Sequence, residues 1–89
     1  MVTVEFAASL RRHVDLAPQS VPAGSLRAVL EAALQAGPAL APYVFDDQRA
    51  VRKHVAVFVN QLMVHDRSRL DLALHPGDKV LVIQALTGG

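Results

Sequence analysis

The chain has 89 residues, enough for one small domain and too few for a second core. Hydrophobic residues make up 52% of it and charged ones 19%, a balance that folds rather than stays disordered. The net charge of +1 argues against a nucleic-acid binder, which gathers Lys and Arg on one face.

The only adjacent basic pairs, Arg11-Arg12 and Arg52-Lys53, read as two solvated pairs. Cysteine is absent, so there is no disulfide framework, thiol nucleophile or thiolate metal site. That fits a reducing compartment, and a cytoplasmic location is expected. No apolar stretch reaches the length of a membrane span, so no membrane partner is expected either. The first residues, Met1 to Phe6, alternate in polarity and lack the basic region and apolar block of a signal peptide.

In chain order, Val2, Val4 and Phe6 point one way if extended and Thr3 and Glu5 the other, the period of a half-buried strand. Ala7 to Val14 turn the chain. Asp15 to Val21 form a second, short strand interrupted by Pro18, which suits an edge or a bulge. Ser25 is placed to cap a helix in which Leu26, Val29, Leu30, Ala33 and Leu34 share one face, and Gly37-Pro38 stop it. Burying the large members of that stripe is worth roughly 1.5–3 kcal/mol each, so the helix must dock on the sheet.

Pro38 to Lys53 read as a long, mostly irregular connection with a helical turn at Ala39-Leu40. His54 to Val59 form the clearest strand, Asn60-Gln61 a tight turn, and Leu62 to His65 the returning strand. Gln61 is a poor second turn residue, which leaves the turn type open. Asp66 to Leu74 are a polar connector anchored by Leu70, Leu72 and Leu74. His75-Pro76-Gly77-Asp78 make a strong turn before the last strand, Lys79 to Ala85.

Val80 to Ile83 are apolar on both faces, as a central strand requires, so the first and last strands can be parallel neighbours. The expected fold is α+β, a β-grasp: a mixed sheet of four to five strands packed on one main helix. Residues 1–85 form the domain and residues 86–89 a flexible tail ending in Gly88-Gly89. Two terminal glycines have little to offer a fold, because they lose the most backbone entropy and pack no side chain. Such a tail can thread a channel in which any Cβ would clash, so its carboxylate points to a carrier whose own C-terminus is the substrate.

Four segments carry a family resemblance. They are Val2 to Phe6; Pro22-Ala23-Gly24-Ser25-Leu26-Arg27-Ala28-Val29-Leu30; Val51 to Asn60; and Leu74 to Gly89, where Gly77-Asp78-Lys79-Val80 precedes a strand and the Gly-Gly end. In this order they resemble the MoaD/ThiS family of ubiquitin-like sulfur carriers over essentially the whole chain. Two departures stand out: Gln84-Ala85 where the family commonly has Pro-Pro, and Gln61 where it commonly has a turn glycine.

The resemblance implies a carrier or cosubstrate rather than an enzyme, with no bound cofactor. A ubiquitin-activating-like adenylyltransferase would use ATP to adenylate the Gly89 carboxylate, and a sulfur donor would convert the adenylate to a thiocarboxylate. An acceptor enzyme would then take the sulfur, by preference the large subunit of molybdopterin synthase or an analogue; thiazole, cysteine or another thio-metabolite is the other destination. Gly88 would give clearance, and Thr87, Leu86 and Ala85 would line the channel as an added strand. The alternative is a ubiquitin-like modifier joined to lysines through Gly89. A weaker third reading is a β-grasp binding module with an inert tail.

By the family's usual phase, Val80 and Val82 face inward with Val55, Val57 and Val59, while Leu81, Ile83 and Phe58 face out. With Leu62, those three are expected to form an exposed apolar patch for a partner; otherwise they pack under the connection from Pro38 to Lys53. The four histidines, His13, His54, His65 and His75, show no metal-ligand spacing. Asp46, Asp47 and Asp66 lack an acid-base partner and read as solvated loop carboxylates, while Asp78 organises its own turn. No nucleophile triad or phosphate-binding glycine loop is present.

Overall fold

The structure, a computed structural model, describes residues 1–85; the expected tail, 86–89, lies outside the described residues. The period-two segments all become strands. β1 (Val2–Phe6) buries Val2, Val4 and Phe6 and exposes Thr3 and Glu5. A one-turn helix, α1 (Ala8–Arg11), then occupies part of the expected turn, with Leu10 buried. β2 (Gln19–Val21) is shorter than expected and starts after Pro18, which has no N–H to give a ladder.

The main helix, α2 (Leu26–Leu34), buries the whole stripe from Leu26 to Leu34, and the Ser25 hydroxyl accepts from the Ala28 amide at 3.1 Å. Two further free amides of its first turn, those of Leu26 and Arg27, donate to the carbonyls of Leu72 and Leu70 at 2.8 and 2.9 Å. Gly37 packs against Leu16, and a Cβ there would stand 3.2 Å from a Leu16 methyl.

The connection that follows is more regular than its prolines imply. A 3₁₀ turn (Pro38–Leu40) leads into α3 (Ala41–Val44), and Leu40, Val44 and Val51 are buried in the core. Asp46 shapes the rest, its Oδ1 accepting from the amides of Gln48 and Ala50. β3 (Val55–Val59), β4 (Leu62–Met63) and β5 (Lys79–Gln84) complete the fold. Leu70 and Leu74 anchor the last connector as expected, but Leu72 is 47% exposed: its carbonyl, not its side chain, engages the helix. Asp66 is likewise not merely solvated, because its carboxylate accepts from the amides of Ser68, Arg69 and Leu70.

The sheet has five strands in the order β2-β1-β5-β3-β4. β5 is central, parallel to β1 and antiparallel to β3, and α2 covers the face that carries Val80 and Val82. This is the β-grasp arrangement. Among the described residues no helix is long and apolar enough to cross a membrane.

Asn60 and Gln61 both take positive φ, 48° and 71°, so the β3–β4 turn is of the type whose twist matches a hairpin. Asn60 tolerates that region and Gln61 is strained in it. Gln61→Gly should therefore raise the unfolding free energy by about 1 kcal/mol in urea titrations. The Asp78 carboxyl is held below its ordinary value, first by the His75 amide and then by the Asn60 side chain. A depressed carboxylate stabilises the fold above its ordinary value of 3.8, and that contribution is lost as pH falls from there through the lower folded value. Melting temperature followed downward from pH 5 should drop less steeply in Asp78→Asn than in the parent chain.

Candidate functional site

Two surfaces meet at the strand that leads to Gly88-Gly89: the outward face of the sheet and the end of β5. On the outward face, register rather than sequence separation decides the neighbours. Glu5 stands beside Leu81, Leu81 beside Phe58 and Phe58 beside Met63, while Ala56 pairs with Ile83. Phe58, Leu81 and Ile83 are half-buried and, with Thr3, Glu5 and Lys79, line a depression of about 640 Å³. The connection from Pro38 to Lys53 does not cover it.

Leu62 is placed elsewhere. It pairs with Val59, so it shares the core-side face and stands 74% exposed at the sheet edge, lining a separate depression with Leu70 and Leu72. Met63 is the residue of that hairpin on the Phe58 face, 47% exposed. A two-residue turn at Asn60-Gln61 already implies this pairing, so counting residues across the turn identifies Met63.

Asn60 and Asp78, from two of the motif segments, touch each other. The Asn60 side-chain amide donates to Asp78 Oδ1 at 3.0 Å, its Oδ1 accepts from the Lys79 amide at 3.0 Å, and Asp78 Oδ2 accepts from the His75 amide at 2.7 Å. Gly77 completes this turn with φ at 93°, a conformation that L side chains rarely adopt. The β3–β4 hairpin is thereby tied to the start of β5.

The far end of β5 is held by a second set of bonds. β1 accompanies β5 only as far as the bond from the Ala7 amide to the Val82 carbonyl, 2.9 Å, where the chain turns into α1. The Ser9 hydroxyl on α1 takes over and accepts from the Gln84 amide at 3.0 Å. On the other edge the Ala85 amide donates to the His54 carbonyl at 2.7 Å. The Gln84 side chain continues the inward phase of Val80 and Val82, and its Oε1 lies 3.0 Å from His13 Nε2. The His13 ring stacks on Tyr43 at 4.1 Å and 7°. Gln84 and Ala85 thus use both backbone donors that a Pro-Pro pair would lack, so the departure from the family pattern is matched by bonds that only non-prolines make.

Ala85 is the last described residue of the expected channel-lining set. Leu86, Thr87, Gly88 and Gly89, the tail and its acyl-bearing end, lie outside the described residues.

A profile of the ThiS family matches residues 4–89. SAMP1 from Haloferax volcanii superposes with a TM-score of 0.80 at 23% identity, covering 99% of this chain and 98% of that one. CysO from Mycobacterium tuberculosis gives 0.78 at 24% identity, covering 97% and 100%. A chain of the Amycolatopsis orientalis BexX/CysO complex gives 0.80 at 17% identity, each chain covered in full at 100%. At these identities the likeness is one of fold. A search of curated proteins found no match.

The bonds at the end of β5 set a stability expectation. Gln84→Pro deletes an amide donor and the His13 partner together, and should cost about 1–3 kcal/mol in urea unfolding. Leu62→Ser, at a position 74% exposed, should stay within about 0.5 kcal/mol of the parent.

Proposed function

The chain belongs to the ThiS family of ubiquitin-like sulfur carriers and modifiers, and on that footing we propose that it is a sulfur carrier loaded at Gly89. The observation that carries the reading is the reach of the family match, which runs through Gly88-Gly89. A carboxylate oxygen of Gly89 attacks the α-phosphorus of ATP on an activating enzyme, and pyrophosphate leaves. Hydrosulfide delivered by a sulfur donor attacks the acyl carbon; AMP leaves and a thiocarboxylate remains. The thiocarboxylate sulfur then attacks an electrophilic carbon of a biosynthetic intermediate, and water hydrolyses the resulting thioester, leaving the thiol on the intermediate and restoring the Gly89 carboxylate; a molybdopterin precursor is the acceptor to test first.

The described domain supports this reading in two ways. A central strand fixed at both ends delivers the residues after Ala85 from a rigid point, and the Phe58-Leu81-Ile83 depression offers an apolar surface on the same strand. Binding energy gained there can be used to position a chain end that has little grip of its own.

A second reading has its own support, because structural neighbours from Haloferax volcanii and Methanosarcina acetivorans bear the name small archaeal modifier protein 1. In that case the activated Gly89 acylates lysines of other proteins. Both readings need adenylation. The adenylyltransferase of the same organism should catalyse exchange of pyrophosphate into ATP only when this chain is added, and not with a chain lacking Gly88-Gly89. Exchange that survives the deletion would contradict loading at Gly89. Larger covalent products containing this chain, found in cells and lost on the same deletion, would favour the modifier.

A further inference from the structure

The two basic pairs, far apart in sequence, flank the end of β5. α1 runs from the end of β1 beside the end of β5 and finishes at Arg11, with Arg12 and His13 following, all three exposed. On the opposite edge, Val55 pairs with Gln84, which places Arg52, Lys53 and His54 just beyond the end of β3, exposed as well. Gln84-Ala85 joins the two sides: His13 Nε2 meets the Gln84 side chain at 3.0 Å, and the His54 carbonyl takes the Ala85 amide at 2.7 Å. Arg52, Lys53, His54 and Gln84 line one depression of about 830 Å³ there.

The charge is unevenly shared. Four of the nine Lys and Arg residues stand at this end, and Asp46 is the one carboxylate lining its depression. Asp46 itself is engaged by two backbone amides, those of Gln48 and Ala50. Ion pairs among the described residues involve Arg27 and Arg49 with Glu31, and Arg69 with Asp71, and none of the four. Arg52 donates to the Pro42 carbonyl at 2.6 Å, but like charges without an opposite charge among the described residues repel. They surround the point from which residues 86–89 continue.

We propose that Arg11, Arg12, Arg52 and Lys53 form a basic collar that docks an acidic protein surface bordering the channel of the activating enzyme. The inference rests on the carrier reading for the identity of that enzyme, not for the existence of the collar. Four cations are few for a nucleic-acid site, since DNA binders commonly neutralise about 6–10 phosphates. They suffice to steer a small protein onto an oppositely charged rim, an effect that acts on association and fades as salt rises.

The test is the affinity of the full chain for the adenylyltransferase of the same organism, measured at several salt concentrations, with pyrophosphate exchange followed on the same samples. Arg12→Glu and Lys53→Glu should each weaken binding roughly threefold to tenfold at low salt, with the gap closing near about 0.5 M. Arg69→Glu carries the same change in charge elsewhere and should bind like the parent. Thermal melting of all three should match, since each side chain is exposed. Equal binding by all variants, or binding insensitive to salt, would overturn the collar even if exchange proceeds normally. Salt-dependent binding weakened by the collar variants but without exchange would retain the collar and remove the carrier reading. Failure of the parent chain to bind at all, or tighter binding to a short DNA duplex than to the enzyme, would also overturn the collar.

Discussion

The structure depends on the central placement of β5. Its two edges are taken by β1 and β3, its inward valines Val80 and Val82 lie in one core with the buried stripe of α2, and its outward Leu81 and Ile83 are left half-buried. A strand with neighbours on both edges cannot be displaced without breaking two ladders at once. That makes it a firm base for the residues that follow Ala85. The polar bonds at its two ends serve the same purpose, Asn60-Asp78 at the start and Ser9, His13 and His54 at the finish.

The outward face and the end of the strand have different physical characters. The face offers apolar area, which contributes affinity in rough proportion to what is buried. The end offers charge, which contributes mainly orientation and speed of encounter. A protein whose reacting group is its own chain end needs both, because glycines supply neither grip nor direction. The placement of Phe58, Leu81 and Ile83 on one side and the two basic pairs around Gln84 on the other is consistent with that division.

Much of this was legible in the sequence where a simple period governs. Val2-Val4-Phe6 keep the inward phase that alternation implies, Val55-Val57-Val59 and Val80-Val82 keep the phase that the family resemblance implies, and Ser25 caps α2 as its side chain suggests. Legibility fails where the determinant is non-local or too short to repeat. α1 and α3 span four residues each, less than a pattern needs. Leu72 looks like an anchor by composition but contributes only a carbonyl, and Leu62 falls on the core-side face because a two-residue turn sets the register. The placement of Arg11-Arg12 and Arg52-Lys53 on either side of β5 comes from strand order alone. The family resemblance extended through all of these, since Asn60 and Asp78 belong to separate segments that the fold joins by a hydrogen bond.

The central claim is that Gly89 carries sulfur, and the intact mass of the chain tests it most directly. After incubation with ATP, a sulfide source and the adenylyltransferase of the same organism, the expected result is a gain equal to one oxygen exchanged for sulfur. Fragmentation should locate that gain at Gly89. An unchanged mass under conditions in which the same enzyme does adenylate the chain would contradict the carrier function and leave the modifier as the reading to pursue.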